Sequence, residues 1–279
     1  MAHNFSSRTS GYGNFSHTQG KIGNGGRTPR DRARREYSQN FLVDRHAIDL
    51  IVETASPTGL VLEPGAGEGA ITRALSERGA RVTAYEIDPL LAGKLAARTR
   101  ESPEIQVVRG DFTKAAPPRE PFAVVGNIPF SATAAIVNWC LTAPTLTSAT
   151  LLTQREYARK RTGDYGRWSE LTVTTWPRFT WTLHARINRE NFRPIPLVDA
   201  AILQLRRRPH PLVENHQAFK TLVALGFTGI GGSVRASLRP HYRHLDRALS
   251  TAGITPDTVV GYVHPDQWLT LHHSLPTNS

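Results

Sequence analysis

The chain has 279 residues, 39% of them hydrophobic, enough to bury a core and build one substantial domain plus a smaller one. Its 34 Lys and Arg outnumber 23 Asp and Glu, and the formal net charge of +11 favours a polyanionic partner such as nucleic acid. The single cysteine, Cys140, excludes an internal disulfide or a cysteine-held zinc; with no signal segment and no run of 18 apolar residues, the expected place is the cytoplasm, with no membrane association.

Residues 1–34 are rich in Gly, Ser, Asn and Thr and show no hydrophobic period, so they read as a disordered tail. Arg8, Lys21, Arg27, Arg30, Arg32, Arg34 and Arg35 face only Asp31 among the acids of that region. Such a tail adds phosphate attraction or merely solubilises the chain, and both readings stay open. From about residue 36 to 205 short apolar runs alternate with amphipathic ones. Strands are expected over 59–62, 81–85, 105–108, 122–125, 149–152 and 200–205, with helices over Ala70–Arg78 and Pro89–Thr99 between them. This alternation implies βαβ units and a mainly parallel sheet, with ligands at the carboxyl ends of its strands. Cys140, in the apolar run 134–141, reads as a core residue. After Arg206-Arg207-Arg208-Pro209, helices are expected around 219–227, 245–252 and 256–263. The resulting division is a tail over 1–34, a catalytic domain over 35–208 and a helical domain over 209–279.

Three features follow one another at strand ends. The strand Leu60-Val61-Leu62 runs through Glu63-Pro64 into Gly65-Ala66-Gly67-Glu68-Gly69, where glycines permit positive φ and close approach of a ligand. Glu86 ends the next strand, placed to accept both hydroxyls of a ribose. Asp111-Phe112 follows a third strand: Asp111 can accept from an adenine amino group and Phe112 can pack near the ring, although such an Asp more often caps a helix. A glycine loop and an acid are shared with dinucleotide enzymes, but Gly-x-Gly-x-Gly differs from the Gly-x-Gly-x-x-Gly of that class.

The strand over 122–125 leads into Asn127-Ile128-Pro129-Phe130. An aromatic amine is a poor nucleophile because its lone pair is delocalised into the ring. If the Asn127 side-chain oxygen and the Ile128 carbonyl both accept from the amino hydrogens, the nitrogen is drawn toward tetrahedral geometry and its lone pair is freed. Pro129 stiffens the loop and Phe130 offers a face to an extruded base. The tetrapeptide resembles the signature Asn/Asp/Ser-x-Pro-Tyr/Phe of adenine amino-methyltransferases, and Asn-Ile-Pro-Phe resembles the ribosomal RNA group among them. Ser38-Gln39-Asn40-Phe41-Leu42 is similar to that group's N-terminal cofactor motif, Gln154-Arg155-Glu156 to its Gln-x-Glu segment, and Phe192–Val198 to its Phe-x-Pro-x-Pro-x-Val loop. The stretches Thr153–Trp168 and Phe227–Gly232 resemble the erythromycin-resistance (Erm) methyltransferases most.

The resemblance implies a Rossmann-like class I methyltransferase sheet with a small C-terminal α-helical domain that binds RNA. It implies S-adenosylmethionine as cofactor, held by Gln39, Asn40, Leu42, Glu63, Gly65, Gly67, Glu86, Asp111, Phe112 and Asn127, with Asn127, Ile128, Pro129 and Phe130 as the catalytic set and no metal. It implies a monomer that methylates the 6-amino group of an adenine in free or precursor 23S rRNA and thereby confers macrolide-lincosamide-streptogramin resistance. Phe130 replaces the commoner Tyr, and Leu197 stands where relatives often carry Lys. The rivals are a small-subunit rRNA adenine dimethyltransferase, a non-catalytic RNA-binding relative, a DNA adenine methyltransferase and, most distant, an NAD enzyme.

Overall fold

In the computed structural model the described residues are 40–229 and 232–275. The basic tail, Gln39 and the centre of the Phe227–Gly232 segment lie outside them. The strands are β1 (Phe41–Leu42), β2 (Leu60–Pro64), β3 (Arg81–Glu86), β4 (Ile105–Arg109), β5 (Phe122–Asn127), β6 (Leu146–Gln154), β7 (Phe179–Ile187), β8 (Phe192–Arg193) and β9 (Ala200–Arg207). The helices are α1 (Arg45–Ala55), α2 (Ala70–Ser76), α3 (Pro89–Arg98), α4 (Thr133–Thr142), α5 (Arg155–Thr162), α6 (Glu170–Thr175), α7 (His216–Gly226), α8 (Val234–Leu238), α9 (Leu245–Thr251) and α10 (Pro265–Ser274).

Seven strands form one sheet in the order β4-β3-β2-β5-β6-β9-β7. The first five are parallel; β9 runs antiparallel to both β6 and β7. Alternating side chains divide between two cores. Val61, Ala123, Val125 and Ile202 meet α1 and α2 on one face, while Leu62, Phe122, Val124 and Leu203 meet α4 on the other. A sheet covered on both faces explains why its strands read as nearly continuous apolar runs. Cys140 is fully buried in the second core, where burial pushes its thiol up and leaves it inert. Because β2 lies between β3 and β5, the chain reverses its direction of travel across the sheet there. The crevice outside the carboxyl ends of β2 and β5 is the place such sheets offer a ligand.

A third core gathers α7 to α10 around the fully buried Trp268 and includes Val173 of α6. Here the helix expected over 256–263 is absent. Thr258 N–H closes a turn onto the Thr255 carbonyl, and Ser233 bridges to Val259, so only a short 3-10 turn over Val260–Tyr262 remains. The β-branched Thr258-Val259-Val260 run follows its extended preference at that bridge instead. Strand β7 was not expected, although Phe179, Trp181 and Ile187 alternate inward. Among the described residues no helix is long and apolar enough to cross a membrane.

The Arg206–Arg208 run has structural duties. Arg207 donates to the carbonyls of Leu146 and Ala143, both at 2.7 Å, and lies over the Phe179 ring. Arg208 donates to the Trp176 carbonyl at 3.0 Å. Arg207→Ala should therefore lower the free energy of unfolding in urea by about 1.5–3 kcal/mol, the worth of charge-assisted hydrogen bonds. Arg239→Ala on the helical domain's surface should leave it within about 0.5 kcal/mol of the parent.

Candidate active site

The crevice is built from β2 upward. Gly65 and Gly67 take positive φ, 69° and 57°, and the N–H groups of Gly65 and Ala66 both donate to the Tyr85 carbonyl, which ties the turn to β3. A Cβ on Gly65 would meet Pro129 Cδ at 3.4 Å, an ordinary contact, so there the positive φ is what favours glycine; one on Gly67 would lie only 2.9 Å from the Phe41 ring and has no room. The glycine turn, the 127–130 loop and the N-terminal motif thus close on one another around a cavity of about 350 Å³, lined by Phe41, Leu42, Glu63, Gly65, Ala66 and Asn127 among others. A cavity of that size and mixed lining suits a small cofactor. Arg45, Arg73 and Arg98 also line it. These cations were invisible in the sequence because they come from α1, α2 and α3 with no local motif.

Asn127 ends β5 with its orientation set. Its Nδ2 donates to the Asn40 carbonyl at 2.7 Å, which commits the nitrogen and turns Oδ1 away as an acceptor. Ile128 anchors the loop by burying its side chain in the second core, and Pro129 precedes a 3-10 turn over Phe130–Ala132. Phe130 is only partly buried, so part of its ring faces out.

Glu86 is almost wholly buried at the end of β3. Its Oε2 accepts from Gly67 N–H at 2.7 Å and its Oε1 from Asp88 N–H at 2.9 Å. Burial raises its pKa while those amide donors lower it. Exposed Ile87 follows it, an apolar surface the sequence reading passed over. Asp111 lies one strand further out, where Gly110 N–H donates to the Glu86 carbonyl. Its Oδ1 accepts from both the N–H and the hydroxyl of Thr113, so it caps the following 3-10 turn. Phe112 is buried between Tyr85 and Trp139, with ring centroids 5.4 and 4.4 Å away, and belongs to the second core. The structure thus brings Asn40, Leu42, Glu63, Gly65 and Asn127 together, joins Gly67 to Glu86, and sets Asp111 and Phe112 on the adjacent strand.

Two short strands complete the edge. β1 pairs antiparallel with β8, Leu42 opposite Phe192 and Phe41 opposite Arg193. This joins the N-terminal cofactor motif to the Phe192–Val198 loop. Asp199 closes that loop: its carboxylate accepts from Arg189 N–H and Arg186, and its carbonyl from Arg155 N–H.

A profile described as "Ribosomal RNA adenine dimethylase" matches residues 30–276. The rRNA adenine N-6-methyltransferase of Saccharopolyspora erythraea is 52% identical over 256 residues, covering 90% of this chain and 67% of the relative. The mycinamicin-resistance protein MyrB of Micromonospora griseorubida is 36% identical, covering 88% and 80%. The ribosomal RNA small subunit methyltransferase A of Chlorobium phaeobacteroides is 33% identical, covering 78% and 83%. The crystal structure of the 23S rRNA methyltransferase ErmE superimposes with a TM-score of 0.81 at 52% identity, covering 85% of this chain and 99% of that one.

Glu63 carries a consequence for pH. It is 2% exposed, accepts a 2.6 Å bond from the Thr72 hydroxyl, and is pushed by burial to about 8, with the nearby Glu86 charge adding to the shift. It ordinarily ionises near 4.5, so the native state holds a proton that the unfolded chain releases. This contribution to stability is complete below about pH 4.5 and is lost as the pH rises to about 8. Glu63→Gln should flatten the fall of Tm across that window, as followed by thermal melts in a pH series. A variant with the parent's slope would show that Glu63 is ionised throughout.

Proposed function

The chain belongs to the ribosomal RNA adenine dimethylase family, on its erythromycin-resistance branch, and we propose the roles of its residues from that premise. It is an S-adenosylmethionine-dependent methyltransferase that modifies the 6-amino group of an adenine in 23S rRNA. The observation that carries the residue assignment is the orientation of Asn127, whose nitrogen donates to the Asn40 carbonyl and leaves Oδ1 available to accept from a substrate amine. The 52% identity to both the Saccharopolyspora enzyme and ErmE, against 33% to a small-subunit enzyme, favours the large subunit over the small-subunit rival.

The cavity fits the cofactor in the terms its walls set. The glycine turn leaves no room for a side chain at Gly67, and the buried Glu63 with Arg45, Arg73 and Arg98 supplies polar partners in the cavity lining. We assign Asn40, Leu42, Glu63, Gly65, Gly67 and Glu86 to holding it, with Asp111 and Phe112 bounding the adenine side from the next strand and Gln39 adjoining in sequence. When bound, S-adenosylmethionine supplies an electrophilic methyl group on a sulfonium. Asn127 Oδ1 and the Ile128 carbonyl accept the two amino hydrogens of the target adenine, which localises the nitrogen lone pair and aims it into the cavity. Pro129 holds the two acceptors in register, and Phe130 packs on the base to keep it out of the RNA stack. As the S–CH3 bond broke and the N–CH3 bond formed, the positive charge would pass from sulfur to the nitrogen, which would then release its proton to water, so no strong base is required of these residues.

We further propose that the protein acts in the cytoplasm as a monomer on free or precursor 23S rRNA, with residues 35–208 catalysing and 209–279 contacting RNA. Methyl groups on the target amine add bulk and remove donors, and a drug packed against that base then meets a clash and finds its hydrogen-bond partner gone. Expression in a sensitive host should protect against erythromycin; Asn127→Ala should abolish protection while the protein still folds, Phe130→Tyr should retain it and Phe130→Ala should not. A host left sensitive by a protein that methylates small-subunit RNA in vitro would overturn the large-subunit reading. Deleting residues 1–34 should reduce the slope of log affinity against log salt by about 0.7–0.9 for each phosphate that the tail neutralises, and an unchanged slope would make the tail a bystander.

A further inference from the structure

Leu197 is the most exposed large hydrophobic among the described residues, at 93%, with Ile195 and Val198 beside it also exposed. Leucines are rarely left wholly in water on an ordered segment, and contiguous exposed apolar groups commonly mark a contact surface. The segment carrying Leu197 is fixed at both ends. Phe192 is fully buried and pairs with Leu42, and at the other end Ala200 is fully buried while Asp199 is held by Arg155, Arg186 and Arg189. Pro194 and Pro196 restrict φ between those anchors.

The anchors also place the segment. Asn127 at the end of β5 lies opposite Leu152 of β6, and two residues on Gln154 lies opposite Ala200 at the start of β9. The segment therefore overhangs the carboxyl edge of the sheet, the edge that holds Asn127 and Phe130. Arg155 at its base has no ion-pair partner among the described residues, so positive charge flanks the apolar tip. An apolar tip with an unpaired cation at its base fits a nucleic-acid duplex better than a protein surface: the cation meets a phosphate and the apolar group meets base faces.

We propose that Leu197 is a wedge that enters the RNA base stack at the gap left by the extruded adenine. This rests on the proposed methylation reading and adds to it the means by which a stacked adenine is kept out. A base drawn onto Phe130 leaves its former neighbours unstacked. An inserted Leu197 covers their faces, so the extruded state loses less stacking and restacking is blocked.

The test compares the full-length parent, Leu197→Ala, Leu197→Met and Leu197→Lys on two RNA fragments of the same 23S sequence. In one the target adenine is stacked in a closed stem, and in the other the complementary strand is omitted. On the stem, Leu197→Ala should lose at least about tenfold in kcat/KM, equivalent to about 1.4 kcal/mol, while staying within about twofold of the parent on the single strand. Leu197→Met should behave as the parent, and cofactor affinity by calorimetry should be the same in all four. With 2-aminopurine in place of the target adenine, fluorescence should rise on binding the parent to the stem and rise far less with Leu197→Ala. Equal loss on both fragments, no loss on either, or a faster Leu197→Lys would overturn the wedge, the last by making the position a phosphate contact. A parent inactive on both fragments would overturn the methylation reading itself, and the wedge with it.

Discussion

The site depends on a single hydrogen bond made across 87 residues of sequence, from Asn127 Nδ2 to the carbonyl of Asn40. An asparagine amide is ambivalent, with a donor at one end and an acceptor at the other, and only its surroundings decide which end faces a substrate. Here the backbone just before β1 decides it. That backbone is in turn held by the pairing of β1 with β8 and by the Phe41 ring lying against Gly67. The N-terminal segment, the glycine turn, the catalytic loop and the Phe192–Val198 loop are therefore one mechanical unit.

Electrostatics at the cavity run against easy ionisation. Glu63 and Glu86 are both 2% exposed, and each is driven upward by burial and by the charge of a carboxylate neighbour. Glu86 recovers part of that cost from two backbone amides, whereas Glu63 has a threonine hydroxyl. The pair thus divides into Glu86, raised by burial but held to the glycine turn by amide donors, and Glu63, an acid that keeps its proton near neutrality. A cationic ligand beside them would favour the charged form of both.

Much of this was legible in the chain because the chemistry sits at strand ends. The runs at 60–64, 81–86, 105–109 and 122–127 are strands of one covered sheet and read as nearly unbroken apolar segments, each ending at or just before the residue that matters. What did not show was the geometry between segments. Asp111 and Phe112 follow their strand in the expected order, yet the aspartate caps a turn and the ring fills the core. Strand β7 was legible in the sequence and was not read there: Phe179, Trp181, Leu183, Ala185 and Ile187 alternate with Thr180, Thr182, His184 and Arg186, and the shift between Leu183 and Arg186 alters only its register with β9. The 256–263 stretch has helical spacing of apolar residues, but a tertiary bridge from Ser233 overrode it.

The arginines make the same point about charge. A net charge of +11 says that the protein attracts polyanions, but not which cations do so. Arg207 and Arg208 hold strand ends and loop carbonyls, Arg235 is paired in bidentate fashion with Asp246, and Arg186 is spent on Asp199. Each is an ordinary basic residue in sequence and a structural tie in the fold. The side chains of Arg155 and Lys160 on α5 have no such duty among the described residues, and they stand on the helix that leaves the carboxyl end of β6. Some of the positive charge left over after the fold's own needs thus stands beside the carboxyl end of β6, as it does at exposed Arg109 and Arg119 elsewhere.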